Sequence, residues 1–239
     1  MELSVEMLEV YNEEVRDLLA PGVASDGKLL SLKVNSQEVV GNEILQVESD
    51  NEILGILNTA QKRRCVKATA SNSTSSRSHL LFTVNIKITL ESGVERIGKL
   101  NICDLAGSER LDKSQAHIVG VSKKHKSDFL VDTDAHELNF DISYSSQGSL
   151  LQESKAINKS LSVLSHVIEK LQAGSAIVPF RESKLTFLLR NSLTGDSKTL
   201  AIVCCSPVEE HHHETLCTLR FAEKANKVEL NKAVAKFSC

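Results

Sequence analysis

The chain has 239 residues, 41% of them hydrophobic and 25% charged, which is ordinary composition for one large α/β domain with a core. A net charge of −3 excludes a general polyanion binder, and 4% aromatic residues without Trp argue against base stacking, so we expect no nucleic-acid partner. No apolar run approaches the roughly 20 residues that a bilayer requires, so we expect no membrane partner either.

The cysteines lack the C-x-x-C spacing of a zinc or redox site, and several lie in apolar runs. They are therefore predicted to be reduced, buried thiols of an intracellular protein. The six are Cys65, Cys103, Cys204, Cys205, Cys217 and Cys239.

The amino-terminal part predicts a strand followed by a short helix. Residues 3–11 alternate apolar and polar side chains, as a half-buried strand does. Residues 12–19 predict a helix that Asn12 caps and that Pro21 ends.

Further strands and a capped helix follow. One or two strands are predicted within residues 30–47. The Ser-Asp-Asn-Glu capping box at 49–52 opens a helix that runs to about Arg64. A Ser-rich polar stretch at 70–79 then precedes a strand predicted at 80–88. This stretch fits a solvated loop, and it equally fits a loop that places hydroxyl oxygens on Mg²⁺ and an Arg near phosphate.

A turn at 91–94 leads to a strand predicted at 96–105, which contains the pattern Asp104-x-x-Gly107. In nucleotide-hydrolysing α/β folds, a buried strand delivers a carboxylate to Mg²⁺ at its carboxyl end. A Gly three residues later lets a backbone N–H approach the terminal phosphate, because no Cβ blocks it. So short a pattern recurs in many proteins, and its weight depends on the motifs around it.

The second half predicts a long helix, a buried strand and an exposed histidine run. Residues 151–172 carry a helical apolar stripe that ends at the cap residue Gly174. Residues 200–205 are continuously apolar, which is typical of a buried strand. Three adjacent histidines at 211–213 cannot all point at one ion, so they predict an exposed loop and not a metal site.

Five blocks, in order along the chain, resemble the motor domain of kinesins. Asn-x-x-Ser-Ser-Arg-Ser-His at 72–79 resembles switch I of that family, and Asp-Leu-Ala-Gly-Ser-Glu-Arg at 104–110 resembles switch II. Ile-Asn-Lys-Ser-Leu at 157–161 resembles the start of the microtubule-facing relay helix. The blocks at 178–186 and 214–222 resemble the loop and helix that contact tubulin, and the last helix. The resemblance covers nearly the whole chain apart from one insert.

This resemblance implies an α/β fold in which a central, mostly β sheet is flanked by helices, with the P-loop NTPase architecture of kinesins and myosins. It implies ATP and Mg²⁺ as cofactors, with hydrolysis by positioning and charge stabilisation and no covalent nucleophile. Ser75 and Ser76 would contact Mg²⁺ and the γ-phosphate. Asp104 would hold Mg²⁺ through water, and Gly107 would sense the γ-phosphate.

The same resemblance makes Arg77 and Glu109 a gate between the two switches, and with Ser76 and Gly107 they complete the implied catalytic set. Without the motif, Arg77 and Glu109 would equally fit an ordinary surface ion pair worth under about 1 kcal/mol. The specificity of the motif favours the gate.

Microtubules are the implied partner, and the implied location is the cytoplasm, on the microtubule cytoskeleton. Lys155 and Lys159 are four residues apart and can face the same way on a helix. Arg181 and Lys184 lie on the element that resembles the tubulin-contacting one. These cations predict a basic strip that steers the protein toward acidic tubulin. A dimer would form only through segments outside this chain.

Two departures from the family pattern qualify the resemblance. The link from 111 to 155 contains an insert at about 117–148, which is either a real loop expansion or a translated intron or gene-model error. Disorder is predicted in both cases. The phosphate-binding pattern G-x-x-x-x-G-K-[ST] is not found. Near-matches at 22–28 and 93–99 are followed by Leu where a hydroxyl must meet Mg²⁺, and neither opens a predicted helix.

The sequence therefore predicts a partial kinesin motor domain over 1–239, incomplete at its amino terminus, with apolar sheet edges exposed. Its ATPase activity is uncertain and is expected to be weak or absent in this chain alone. The alternative is a non-motor microtubule-binding or regulatory fragment without ATPase activity. A P-loop GTPase of another family is a third class, but it would not predict the blocks at 157–161 and 178–186. Residues 227–230 resemble the short tail of C-terminal, minus-end-directed motors.

Overall fold

The computed structural model describes residues 1–20, 31–35, 39–65, 77–107, 148–195, 197–230 and 237–238. Within these ranges the strands are β1 Glu2–Tyr11, β2 Glu14–Asp17, β3 Lys33–Val34, β4 Val39–Val40, β5 Leu45–Val47, β6 His79–Thr89, β7 Glu95–Asp104 and β8 Phe237–Ser238. The helices are α1 Asp50–Cys65, α2 Gly148–Gln172, α3 Lys184–Leu189 and α4 His212–Asn226, with 3-10 turns at Phe180–Glu182, Arg190–Ser192 and Glu209–His211. No helix in the described ranges is both long and apolar enough to cross a membrane.

One antiparallel sheet carries most of the described strands, in the order β2-β1-β6-β7-β8. Strand β6 runs along one edge of β1 over almost its full length, whereas β2 and β5 share the other edge. Strands β6 and β7 form a long hairpin, and its turn contains Gly93 at φ +80°, as the sequence predicts. Because this pair is antiparallel, Asp104 at the end of β7 lies beside the start of β6 at His79.

Helices pack on both faces of the sheet, which confirms the predicted α/β class. On one face, α1 covers a core that includes Val5, Met7 and Phe82. On the other face, α2 and α3 cover a core that includes Leu8 and Leu81. Successive strand residues point to opposite faces, so Met7 and Leu8 enter different cores.

The helix predicted at 12–19 is wrong, because β2 occupies this segment. Asn12 and Glu13 have positive φ angles of 52° and 60° and close a tight hairpin turn between β1 and β2. Val15 and Leu18 fit helical spacing, but in the hairpin they are 1% and 0% exposed. Burial against the rest of the sheet therefore outweighs the local helical pattern.

The ends of α1 and α2 follow their sequence signals. Ser49 Oγ accepts the backbone N–H of Glu52 at 3.3 Å, and the Glu52 carboxylate accepts the N–H of Glu48 at 2.9 Å, so the predicted cap forms. Gly174, at φ +61°, ends α2 as predicted. The strands predicted within 30–47 are three short ones, β3, β4 and β5.

Two apolar segments are exposed. On β7, Leu100 and Ile102 are 52% and 54% exposed, in line with the expectation of apolar surface on the sheet. The buried strand predicted at 200–205 is wrong, since this segment forms no strand and Leu200 is 84% exposed. No described strand pairs with it, and an extended segment without a neighbour gains no ladder hydrogen bonds.

The predicted burial of the cysteines is wrong for the three that are exposed, Cys204, Cys205 and Cys217. Cys103 is half-buried. The three histidines at 211–213 are exposed as predicted, although they belong to a 3-10 turn and the first turn of α4 and not to a loop. Among the described residues, no group of three or more His, Cys, Asp and Glu side chains could hold a metal ion.

Candidate functional site

The candidate site is built around residues 104–107, which follow β7 directly and are called here the β7 turn. The Asp104 side chain is 65% exposed, whereas Ala106 is buried and Gly107 is half-buried. The antiparallel pairing of β6 with β7 brings Ser78 and His79, both buried, to the same end of the sheet. One carboxylate thus faces solvent while the backbone behind it is enclosed.

Arg64, in the last turn of α1, holds the Asp104 side chain. Its Nη1 donates to Asp104 Oδ2 at 3.0 Å, its Nε donates to Ser78 Oγ at 3.2 Å, and its Nη2 donates to the Ser78 carbonyl at 2.8 Å. The Arg64 side chain is only 6% exposed. A buried, planar guanidinium with several fixed acceptors has little freedom, so it fixes the orientation of the Asp104 carboxylate at the protein surface.

A buried carboxylate lies behind Arg64. Glu9 on β1 is 2% exposed, and its two oxygens lie 3.9 Å from Arg64 Nε and 3.8 Å from Arg16 Nη1. These separations are ion pairs and not hydrogen bonds, and Glu9 Oε1 has no hydrogen-bond partner among the described residues. Each of these guanidinium groups also pairs with a more exposed carboxylate, Arg16 with Glu14 and Arg64 with Asp104, both at 3.0 Å. The buried Glu9 charge is therefore offset by two shared cations, which helps to keep Arg64 in place beneath Asp104.

His79, the first residue of β6, touches the other half of the β7 turn. Its Nδ1 accepts the backbone N–H of Ala106 at 3.0 Å, and its Nε2 lies 2.8 Å from Ser160 Oγ on α2. Burial lowers the pKa of His79 to about 4, and the nearby Arg64 cation adds to this effect. The imidazole is therefore neutral at physiological pH.

The thiol beside Asp104 is chemically quiet. Burial raises the pKa of the Cys103 thiol to about 12, and the Asp104 carboxylate contributes in the same direction. A protonated thiol is a poor nucleophile.

The family model described as the kinesin motor domain matches residues 1–127 and 123–228. The chain belongs to the kinesin motor domain family. The two matched stretches overlap at residues 123–127, inside the predicted insert at about 117–148. Residues 108–147 lie outside the described residues.

Individual relatives agree with this membership. The chain is 40% identical over 238 residues to the kinesin-like protein KIN-14F of Oryza sativa subsp. japonica, covering 97% of this chain and 20% of that protein. A KIF14 dimer solved in its two-heads-bound state with AMP-PNP and a microtubule has a TM-score of 0.74 and 32% identity, covering 98% of this chain and 60% of that chain. The motor domain of the Saccharomyces cerevisiae kinesin-related protein Kar3 has a TM-score of 0.65 and 34% identity, covering 94% and 60%.

A solved structure described as the C-terminal motor and motor homology domain of Kar3Vik1 has a TM-score of 0.65 and 33% identity, covering 94% of this chain and 51% of that chain, which supports assignment to the C-terminal-motor subfamily of kinesins. The solved kinesin structures also confirm the P-loop NTPase type of fold. The chain spans about a fifth of the length of the curated relatives it matches.

The structure places some of the predicted kinesin switch residues and not others. Asp104 and Gly107 lie in the β7 turn as predicted. Ser75, Ser76 and Glu109 lie outside the described residues, so the predicted gate and serine ligands stay predictions. Arg77 is described, and it lines a small groove together with Asn12, Glu13, His79, Ile157 and Ser160.

The residues predicted to face microtubules lie on elements that pack together, since α2 contacts both α3 and the 3-10 turn before it. Lys159 on α2 and Arg181 in that turn are exposed. Lys184 is half-buried at the start of α3, where its backbone N–H donates to Glu13 Oε2 at 3.1 Å. The backbone of Lys155 belongs to α2, but its side chain lies outside the described residues.

The near-match to a phosphate loop at 93–99 is a β-hairpin, as expected of a chance match. Gly93 lies in the turn, and Lys99 lies in β7, where its Nζ is 2.8 Å from Glu6 Oε1. The other near-match, at 22–28, lies outside the described residues.

Sequence reasoning missed the residues that support the site from behind. Arg64 ends a helix where any cation would be favourable, so nothing local distinguishes it from a surface charge. His79 belongs to the block at 72–79, and Ser160 belongs to the block at 157–161. Their polar side chains within these blocks were the only sequence signal that they support the site. Their pairing across 81 residues of sequence could be found only from the fold.

Proposed function

We propose that this chain supplies the switch and track-binding parts of a kinesin motor, which couples ATP hydrolysis to movement along microtubules in the cytoplasm. The observation that supports this most is the β7 turn, where an exposed Asp104 follows a strand and is oriented by the buried Arg64. The same turn is linked through His79 to α2, the helix that carries Lys159. One side chain thus bridges the proposed nucleotide-facing turn and the proposed track-facing helix.

ATP with Mg²⁺ fits the chemistry of the β7 turn. Asp104 Oδ2 is held by Arg64, while the largely exposed carboxylate keeps acceptor capacity for a water on Mg²⁺. Bound Mg²⁺ would neutralise charge on the phosphates. We assign Ser75 and Asp104 to the metal, Ser75, Ser76 and Gly107 to the γ-phosphate, and Arg77 with Glu109 to the gate.

The track-facing surface is proposed to be a basic strip made of Lys155, Lys159, Arg181 and Lys184. Co-sedimentation with microtubules tests it. We expect Arg181→Ala/Lys184→Ala to weaken binding at low salt, and we expect added salt to weaken binding of the parent chain in the same way. The matched control is Lys62→Ala/Lys227→Ala, which removes two cations from α1 and the end of α4. Equal binding by both double variants at low salt would refute the strip.

A second candidate, a microtubule-binding fragment without ATPase activity, is favoured by one observation. Lys99 of the phosphate-loop near-match at 93–99 is bonded to Glu6 in a sheet, so this segment does not cradle the β- and γ-phosphates. Phosphate release with microtubules separates the two candidates. We expect slow turnover by this chain alone, whereas about 1 s⁻¹ or more that Asp104→Ala abolishes would show an active motor.

The polarity of movement is proposed to be toward the minus end. The support is the resemblance of residues 227–230 to the tail of C-terminal motors, together with the KIN-14 and Kar3 relatives. A gliding assay with the full reading frame on polarity-marked microtubules tests this proposal, and plus-end motion contradicts it.

A further inference from the structure

Helix α4 carries an imidazole and a thiol one turn apart. His213 and Cys217 are four residues apart in this helix, so their side chains lie on the same face. Cys217 Sγ lies 3.6 Å from His213 Nδ1. Both residues are exposed, so a solute in the surrounding water reaches them directly. Thiolate sulfur and imidazole nitrogen are the ligands that Zn²⁺ and similar ions prefer.

The three adjacent histidines have different partners. His211 Nδ1 lies 3.0 Å from Ser206 Oγ, and His212 Nδ1 lies 3.0 Å from the carbonyl oxygen of Glu209. His213 Nδ1 instead lies beside a thiol. Three adjacent histidines therefore do not point at one ion, as the sequence predicts. That objection does not apply to one histidine paired with a cysteine on the next turn of the helix.

The separation of the sulfur and nitrogen atoms matches that of two ligands on one ion. Zn²⁺ binds cysteine sulfur at about 2.3 Å and histidine nitrogen at about 2.0–2.1 Å. With a tetrahedral angle of about 109° between them, these two atoms are about 3.5–3.6 Å apart. The observed 3.6 Å falls in this range. An ion can therefore take the place of the hydrogen-bonding proton between the two side chains without a change in the helix.

Water completes the coordination shell in this arrangement. Among the described residues, no third His, Cys, Asp or Glu joins the pair to form a metal-binding group. Two protein ligands leave the other positions of a four-coordinate ion to water, so the site is open and binds reversibly. Three carboxylates close to the pair in sequence oppose the positive amino-terminal end of the helix and favour a cation, namely Glu209, Glu210 and Glu214.

We propose that His213 and Cys217 form a binding site for a thiophilic divalent ion such as Zn²⁺. The ion bonds to Cys217 Sγ and His213 Nδ1, and the thiol proton is released to solvent as the thiolate forms. Mg²⁺ and Ca²⁺ do not compete well here, because they prefer oxygen ligands. The site involves neither the β7 turn nor the basic strip, so it does not depend on the proposed function.

Titration of the reduced chain with Co²⁺, a spectroscopic substitute for Zn²⁺, tests the proposal. We expect an absorption band from sulfur-to-cobalt charge transfer that Cys217→Ser abolishes. His213→Ala should weaken Co²⁺ affinity at least about 10-fold, since loss of a group that merely supports a ligand already has that effect. His212→Ala and Cys205→Ser, which remove the adjacent imidazole and another exposed thiol, are matched controls and should leave the affinity unchanged. A parent chain without the band, or a band that either site substitution leaves unaffected, would overturn the proposal.

Thiol alkylation mapped by mass spectrometry gives a second test, with Zn²⁺ itself and with no variant. At a Zn²⁺ concentration about 10 times the dissociation constant, alkylation of Cys217 by iodoacetamide should slow about 10-fold, because only the free site reacts. The exposed thiols of Cys204 and Cys205 should react at the same rate with and without Zn²⁺. Mg²⁺ is the control ion and should protect none of the three. An equal rate at Cys217 with and without Zn²⁺ would contradict the assignment.

Discussion

Two side chains that oppose each other across β6 and β7 show how differently the two strands are held. Phe82 and Ile102 are partners in the ladder, so they lie on the same face of the sheet. Phe82 is 7% exposed and Ile102 is 54% exposed. Helix α1 packs over β1 and β5, on the far side of β6 from β7, and its cover ends at Phe82. Both positions carry an apolar side chain on the same face, so distance from α1 decides which of the two side chains is buried.

Polar links take the place of apolar cover along β7 and its turn. They join Asp104 to Arg64, Lys99 to Glu6, Asn101 to Ser192 and Ala106 to His79. Such links contribute modestly to net stability and respond to charge and pH, whereas apolar burial is larger and insensitive to both. We therefore expect β6 to carry the stability of the sheet and β7 to open locally at lower free energy.

The most direct test of this contrast is a matched pair of truncations. Phe82→Ala is expected to lower the free energy of unfolding by about 3–5 kcal/mol, because it leaves a cavity under α1. Ile102→Ala, directly opposite, should lower it by less than about 1 kcal/mol, because most of that side chain is in water. Urea denaturation of both variants measures the difference, and equal losses would show that β7 is packed as tightly as β6.

Removal of Arg64 tests whether a polar link secures the end of β7. Arg64→Ala should lower the free energy of unfolding by about 3 kcal/mol, the low end for breaking a buried pair, because Glu9 then loses one of its two cations. The exposed neighbour Lys62→Ala is the control and should change stability by less than about 0.5 kcal/mol. The charge network has no structural role if the two variants unfold alike.

The sheet should also lose stability as the pH falls, through His79. Its folded pKa of about 4 lies below the ordinary value of about 6.5, so the unfolded chain binds the proton more readily. Stability from this group is complete above pH 6.5, falls as the pH drops, and is lost by pH 4. Between pH 7 and pH 5 the loss should be about 2 kcal/mol.

Because other groups also titrate in this window, the measurement is a difference between proteins. The parent chain should lose about 2 kcal/mol more than His79→Gln between pH 7 and pH 5. A parent and His79→Gln with parallel curves would mean that the ring is solvated.

Local signals predicted the parts of the fold that local interactions decide. The cap of α1 forms because Ser49 and Glu52 are close in sequence, and β6 and β7 lie where the sequence predicts strands. The hairpin at Asn12 and Glu13 was missed because its apolar residues fit a helix as well as a strand. Burial at 200–205 was mispredicted because burial of an apolar run depends on a neighbouring strand, which the run itself does not encode.

The candidate site likewise contains residues that the local sequence predicted and residues that only the fold brings into place. Asp104 and Gly107 were predicted, since a carboxylate at a strand end followed three residues later by a glycine is a signal within the local sequence. Arg64 was not, because it reaches Asp104 across 40 residues of sequence and bonds it only once α1 has packed on the sheet. Motifs therefore indicate which groups are candidates to face a ligand, and the fold is needed to find the groups that hold them.

The smallest expected effect is at Lys99, the link between β7 and β1 and the lysine of the phosphate-loop near-match. Its side chain is 52% exposed, and Glu6 keeps a second partner in Asn42 at 2.7 Å, so Lys99→Met should lower the free energy of unfolding by about 1 kcal/mol. Lys87→Met, at the pair with Glu95 on the same hairpin, is the matched control and should lower the free energy of unfolding less than Lys99→Met does. Affinity for a fluorescent ATP analogue should be the same in Lys99→Met as in the parent, because a strand lysine bonded to Glu6 does not cradle phosphate. Loss of nucleotide affinity in Lys99→Met with unchanged stability would reverse this assignment and make the hairpin a phosphate site.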